Sequence, residues 1–167
     1  MADFLERIEG HIPALRRFAR GLTRDAERAD DLVQDCLERA IRHRRLWRPG
    51  GALKSWLLRI MLNIWRNDLR AARSRPRLVA VDDPATPPAQ TAALELAELM
   101  RAVAALPPEQ RAALLLVAVE GLSYAEAANL LNIPRGTLMS RLYRARRALA
   151  AATGHERGGG GTIRSVK

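Results

Sequence analysis

The side chains that offer the most chemistry in this sequence are arginines placed at helical spacing. Arg59, Asn63, Arg66, Arg70 and Arg73 follow one another at intervals of four and three residues, which brings them onto one stripe of a helix. An arginine guanidinium fits phosphate oxygens, and an asparagine amide can read a base edge. A solvated helix face usually carries glutamate, and this stripe has none. The pattern therefore favours nucleic-acid contact over an ordinary solvated face.

A second arginine-rich helix lies nearer the end of the sequence. Residues 135–147 contain five arginines and no acid. The preceding helix begins with a capping box, Ser123 followed by Glu126, and Pro134 opens the basic helix after a short turn. Two short helices joined by a tight turn, the second one basic, are typical of a helix-turn-helix. An ordinary helical hairpin is the alternative, and the lack of acids in the last helix argues against it.

An acidic segment runs directly into the basic part of the first half. Residues 25–38 hold six acids and one base, whereas residues 39–75 hold eleven bases and one acid, Asp68. A solvated surface usually mixes its charges, so this separation indicates two partners of opposite charge, or one partner with two faces. A dipolar surface without a partner is the alternative.

Three tryptophans lie close together in the sequence. Trp56 falls on an apolar stripe and is predicted to be core. Trp47, beside a Pro-Gly-Gly loop, and Trp65, at the margin of the stripe, could each stack on an unpaired base. For each of them core packing remains the favoured alternative.

No arrangement of residues points to an enzyme or to a metal or cofactor site. His11, His43 and His155 lack ligand spacing, and the glycines at 158–161 lack the lysine and hydroxyl residue of a phosphate-binding loop. The single cysteine, Cys36, excludes a disulfide framework and a cysteine-rich zinc site. It lies on an apolar stripe, which favours a small buried hydrophobe over a nucleophile.

The elements that must position these residues are predicted to be helices throughout, so the fold class is all-α. Apolar residues recur at helical spacing from Leu5 to Leu22, from Leu32 to Ile41 and over 52–73, with Thr23 as a plausible N-cap of the second helix. Further helices are predicted between Leu94 and Pro107 and from Pro108 to a stop at Gly121. The last helix buries its apolar residues at four- and three-residue steps: Leu138, Leu142, Ala145 and Leu149.

Composition divides the chain into two small helical domains. Residues 76–92 contain four prolines and no helical periodicity, which predicts a flexible linker. The predicted units are therefore 1–75, the linker 76–92, 93–152, and a disordered tail over 153–167.

The positive charge of the chain comes almost entirely from arginine, which fits phosphates and guanine edges, and a GC-rich coding bias is the alternative. The 167 residues carry a net charge of +10 and contain no apolar run long enough to span a membrane. The first residues lack the apolar core of a secretory signal, so a cytoplasmic location is expected.

The motifs together resemble the extracytoplasmic-function subfamily of sigma-70-type RNA polymerase sigma factors. Residues 106–111, 120–128 and 133–149 resemble region 4, residues 29–35 resemble region 2.2, and residues 56–63 with Asp68 resemble regions 2.3 and 2.4. The resemblance covers roughly residues 10–152 and places both halves in the family's order.

The resemblance implies an alternative sigma factor that binds core RNA polymerase through the β′ clamp helices and the β flap. It would read the −35 element as duplex and would melt and capture the −10 element, and an anti-sigma factor is a candidate partner. The implied polymerase-binding residues are Asp31, Gln34 and Asp35. The implied −10 contacts are Trp47, Arg48, Arg59, Asn63, Arg66 and Arg70. The implied −35 contacts are Arg135, Thr137, Met139, Ser140, Tyr143 and Arg144.

One position departs from the family pattern, and two other protein classes remain as alternatives. Position 139 is usually Lys or Arg in the family, and a methionine cannot donate a hydrogen bond although it can touch a thymine methyl group. A sigma-like adaptor that binds a regulator would lose the DNA-reading charges that are present here. A helix-turn-helix repressor would not need the acidic helix or the Asn-Arg helix of the first half.

Overall fold

The first half is a bundle of four helices. The computed structural model describes residues 2–48, 51–74 and 91–154. Its helices here are α1 (Ala2–Glu9), α2 (Ile12–Thr23), α3 (Ala26–Arg42) and α4 (Leu53–Arg73), with one short 3₁₀ turn at Arg44–Leu46. Helix α3 packs between α2 and α4.

The apolar stripes predicted from the sequence form the core of this bundle. The fully buried side chains include Leu15, Phe18, Leu22, Cys36 and Met61. The first stripe is split between α1 and α2 by a turn at Gly10 and His11, and Leu5 is exposed rather than buried.

The N-cap of α3 is Asp25, and the prediction of Thr23 was wrong. Asp25 has an extended backbone, and its carboxylate accepts a hydrogen bond from the Arg28 N–H at 2.8 Å. Thr23 is the last residue of α2, and its hydroxyl donates back to the Ala19 carbonyl. Both residue types suit an N-cap, so composition could not choose between two positions that lie two residues apart.

The second half contains the helix-turn-helix. Its helices are α5 (Thr91–Ala105), α6 (Pro108–Leu114), α7 (Tyr124–Leu131) and α8 (Arg135–Ala152), and α6 continues as a π-helical turn over Leu115–Val119. The predicted capping box at Ser123 and Glu126 is present in both directions. Gly121 ends the preceding helix with a φ of 70°, and Asn132 makes the turn with a φ of 55°.

The boundaries around the predicted linker shift slightly. Helix α5 begins at Thr91, two residues inside the predicted linker, and residues 75–90 lie outside the described residues. Of the predicted tail, Thr153 and Gly154 form a turn, and residues 155–167 lie outside the described residues.

The two halves share one hydrophobic core. A single cluster of buried side chains runs from Phe4 in α1 to Leu142 in α8. Helix α2 contacts α5, α6 and the π-helical turn, and α4 contacts α7. No helix of the described residues is long and apolar enough to cross a membrane.

Candidate nucleic-acid and polymerase surfaces

Helix α3 presents an acidic face to solvent. Its buried side carries Leu32, Val33 and Cys36, and its opposite side exposes Asp31, Gln34 and Asp35. The structure therefore brings the three predicted polymerase-binding residues together on one exposed face. They are available to a cationic partner.

The acidic face of α3 extends toward α4. Partial burial raises the pKa of the Asp68 carboxyl, and the nearby charge of Asp35 raises it further. The Gln34 amide donates to a carboxylate oxygen of Glu38 at 3.1 Å, which holds it on the same face.

Helix α4 displays the predicted arginine stripe opposite its buried face. Arg59, Asn63, Arg70 and Arg73 are exposed, whereas Arg66 is half-buried. The stripe confirms the helical spacing read from the sequence.

Two arginines of that stripe contact the second half of the chain. Arg59 donates to the side-chain oxygen of Asn129 in α7 at 3.2 Å. Arg66 donates to the Leu131 carbonyl at 3.3 Å and to Glu109 in α6 at 3.4 Å. Both guanidinium groups therefore bind the second half of the chain. We call this packing of the two halves the closed arrangement.

The tryptophans behave differently from one another. Trp65 is only 4 % exposed, so the base-stacking alternative for it was wrong and the core alternative was right. Trp47 is half-buried, with its ring 5.7 Å from that of Phe4 and the Arg7 guanidinium 4.8 Å from its centroid. Arg48 is exposed, and the following residues 49–50 lie outside the described residues.

Helix α8 carries all the predicted −35 residues on its exposed surface. Its buried face of Leu138, Leu142 and Ala145 seats it against the rest of the second half. The exposed residues are Arg135, Thr137, Met139, Ser140, Tyr143 and Arg144.

Two arginines of α8 make hydrogen bonds to neighbouring helices. Arg141 donates to Glu109 of α6 at 2.8 Å, and Arg146 donates to the Tyr124 hydroxyl of α7 at 3.2 Å. Glu109 also accepts a hydrogen bond from Arg66, so it links α8 to α4.

A buried carboxylate that the sequence reasoning missed joins the two halves. The Glu120 side chain has no exposed surface. Lys54 Nζ of α4 lies 2.7 Å from Glu120 Oε2 and is aligned to donate to the Glu120 carbonyl, 3.2 Å away. Arg17 of α2 lies 3.4 Å from Glu120 Oε1. We call these three residues the Glu120 clasp.

Local backbone geometry allows this clasp to form. The π-helical turn before Glu120 lies against α2, where a Cβ on Gly21 would come within 2.7 Å of Leu115 Cδ1. The absence of a side chain at Gly21 thus lets the turn approach. An acid at the end of a helix opposes the helix dipole, and this was the available sequence signal for Glu120.

A further contact between the halves is made at the end of α5. The buried Arg111 donates to the carbonyls of Ala104 and Leu106, and Arg24 from the α2–α3 turn donates to Ala104 at 2.8 Å. Burial, and to a smaller extent the charge of Arg24, lowers the pKa of Arg111 to about 10.

Comparisons with known proteins agree with the two-part architecture. The family described as "Sigma2 domain of PhyR" matches residues 8–62, and "Sigma-70, region 4" matches residues 96–149. ECF RNA polymerase sigma factor EcfG of Rhodopseudomonas palustris is 42% identical over 146 residues, which cover 84% of this chain and 79% of EcfG. ECF sigma factor SigM of Mycobacterium tuberculosis is 38% identical over 146 residues, covering 87% and 74%.

A solved structure matches the arrangement of nearly the whole chain. It is the sigma factor RpoE from Bartonella quintana, in complex with the anti-sigma factor NepR. The TM-score is 0.81 at 34% identity, over 94% of this chain and 100% of RpoE. These matches in sequence and fold show the family. The chain belongs to the extracytoplasmic-function subfamily of sigma-70-type RNA polymerase sigma factors, which act in transcription initiation.

Proposed function

We propose that three separate surfaces of this sigma factor divide the work of initiation. The acidic face of α3 docks on core polymerase, the arginine stripe of α4 holds the −10 strand, and the exposed face of α8 reads the −35 duplex. The observation that carries the proposal is the arrangement of α8. All six of its candidate reading residues are exposed, while Arg141 and Arg146 bind it to α6 and α7.

The polymerase surface is assigned to Asp31, Gln34 and Asp35. Their exposure on one face, with Asp68 nearby, gives a concentrated negative surface beside a strongly basic remainder of the chain. Such a patch steers association with a positive partner and disfavours contact with DNA phosphates. It suits the clamp helices of the β′ subunit.

The −10 surface is assigned to Arg59, Asn63, Arg66 and Arg70, together with Trp47 and Arg48. Arginines would hold the backbone of the unpaired strand, and Asn63 is exposed beside them to contact a base. Capture of unstacked bases offsets an unstacking cost of a few kcal/mol, so melting requires no catalytic group. We therefore propose that the protein is not an enzyme and needs no cofactor.

The −10 surface is proposed to become fully available when the halves separate. Arg59 and Arg66 are engaged with α6 and α7 in the closed arrangement, and these contacts must be exchanged for contacts with DNA. We propose that residues 1–75 and 93–152 act as the two units, joined by the segment between them. We propose that the protein acts in the cytoplasm, where bacterial core polymerase binds the chromosome.

An anti-sigma factor is proposed as a third class of partner. The relative RpoE is bound to one in its solved structure, and its likeness to this chain covers both halves. A partner of this kind would stabilise the closed arrangement.

The docking assignment is tested by reversing charge on α3. Asp31→Arg with Asp35→Arg should weaken binding to core RNA polymerase by more than about tenfold, because like charges would then face each other. A matched control is Glu6→Arg with Glu9→Arg, which changes the net charge equally at exposed positions of α1. Unchanged core affinity of the α3 variant, measured by fluorescence anisotropy on folded protein, would contradict the assignment.

A further inference from the structure

Two exposed apolar side chains lie one helical turn apart on the recognition helix. Met139 is 51% exposed and Tyr143 is 62% exposed. The helix is seated by Leu138, Leu142 and Ala145 on its other side, so neither Met139 nor Tyr143 is needed for the core. Side chains of this size at positions i and i+4 adjoin each other on a helix.

The surroundings of this pair are positively charged. Met139 and Tyr143 share one exposed surface of α8 with Ser140, Arg144 and Arg147. The Arg147 guanidinium lies 5.9 Å from the centre of the Tyr143 ring, which supports the ring from one side. There is no acid between residues 135 and 147. An exposed surface on which apolar side chains lie among arginines suits DNA, whose phosphates lie beside the base edges, better than an apolar protein surface.

The chemistry of the pair limits what it can recognise. A thioether does not donate hydrogen bonds, so Met139 cannot pair with the acceptors of guanine. In the major groove the apolar group on a base edge is the C5 methyl group of thymine. Met139 is the fifth residue of α8, within the N-terminal part of a recognition helix that faces base edges.

We propose that Met139, supported by the ring of Tyr143, contacts the methyl group of one thymine in the −35 duplex and is a specificity-determining residue of this sigma factor. The inference rests on the proposed function, because it needs α8 to enter the major groove of the −35 element. It specifies thymine as a base that α8 contacts in the −35 element, which the fold alone does not give.

The test removes the methyl group and nothing else. The probes are short duplexes covering the −35 region upstream of start sites mapped by run-off transcription, with each thymine replaced in turn by deoxyuridine. The full chain is assembled with core polymerase, and its affinity for each probe is measured. For wild type, one deoxyuridine is expected to weaken binding about three- to fivefold, the effect of losing one buried methyl contact. The other replacements should have no effect.

Variants identify the side chain that reads the methyl group. Met139→Lys should bind the thymine and deoxyuridine probes equally, whereas Met139→Leu should keep the preference. Met100→Lys is the matched control, because Met100 on α5 is 52% exposed and lies outside the recognition helix. It should retain the wild-type preference for thymine.

Three results would overturn the inference. Wild type could bind every deoxyuridine probe as tightly as the parent duplex, or Met139→Lys could keep the wild-type preference for thymine. Alternatively, Met139→Lys could lose core polymerase binding without any change in the ratio between probes, which would make the pair a protein-docking surface. If wild type bound a scrambled duplex as tightly as the promoter duplex, the proposed −35 function would be refuted, and the inference with it.

Discussion

Glu120 is a buried charge at the contact between the two halves. Its carboxylate has no exposed surface, yet Lys54 and Arg17, which balance its charge, remain partly exposed at 32% and 55%. A buried charge is costly unless it is paired, so the clasp is favourable only while α2, α4 and the π-helical turn stay together. Separation of the halves returns all three charges to water.

Glu120→Gln removes the negative charge and keeps the size of the side chain. We expect the free energy of unfolding to fall by about 1–3 kcal/mol, because Lys54 is left without its counter-charge at the interface. Urea unfolding checks this, with Glu98→Gln on exposed α5 as the control. A loss in Glu120→Gln no larger than that of the control would show that the clasp contributes nothing to stability.

The buried thiol of Cys36 is expected to lower the free energy of unfolding as the pH rises above 9. Burial raises the pKa of its thiol from 9.0 to about 12, although its hydrogen bond to backbone and the charge of Arg39 oppose the shift. Above pH 9 the unfolded thiol ionises while the folded one stays protonated, so this group's contribution to stability falls as pH rises from about 9 to 12.

The prediction for Cys36 is tested by comparing the pH dependence of unfolding in wild type with that in a variant lacking the thiol. Arg111, with its pKa lowered to about 10, also titrates in this range and acts in the opposite sense. We therefore compare the pH dependence of unfolding in wild type and in Cys36→Ala. Wild type should lose stability more steeply above pH 9, and equal slopes would show that the thiol ionises as easily in the folded state.

At the scale of elements, local signals in the sequence were sufficient for most of the helices. The capping box of α7 and the left-handed residues Gly121 and Asn132 act within one turn of the chain, so residue type and spacing reveal them. Trp65 was harder to place, because a residue at the margin of an apolar stripe is buried or exposed according to which helix packs beside it.

Helix α8 carries an arginine, Arg144, that is a candidate for reading a base of the −35 element. Arg144 and Arg146 are both exposed on α8, and Arg146 donates to the Tyr124 hydroxyl. If Arg144 holds a base through two hydrogen bonds, Arg144→Ala should weaken −35 binding by about 1–3 kcal/mol and relax specificity at one base pair. Affinities for a panel of single-base −35 variants measure this. An equal loss on every sequence would make Arg144 a phosphate contact.

At the scale of the whole molecule, the sequence predicted two units but not the way in which they pack. Arg59 and Asn129 are 70 residues apart, and nothing in the spacing of either helix indicates that they meet. The same is true of Glu120 and Lys54, which are separated by 66 residues. Such contacts depend on complementary surfaces, and a periodic pattern describes only one surface at a time.

The closed arrangement predicts a change of shape on binding. Spin labels at Arg42→Cys in α3 and Arg101→Cys in α5, both exposed, would be placed in a Cys36→Ala background. We expect one narrow distance distribution in the free protein and a different one after core polymerase is added, because Arg59 and Arg66 must leave α7 and α6. An identical distance distribution before and after addition would contradict the proposed separation.

Run-off transcription is the measurement to make first, because it shows whether this chain directs promoter-specific initiation. Sheared genomic DNA of the source organism is transcribed by bacterial core RNA polymerase with and without the protein. We expect discrete new transcripts that require the protein and disappear with Asp31→Arg combined with Asp35→Arg. If folded protein and active core give no new transcripts, the claim is contradicted, and a sigma-like adaptor or a repressor becomes the better description.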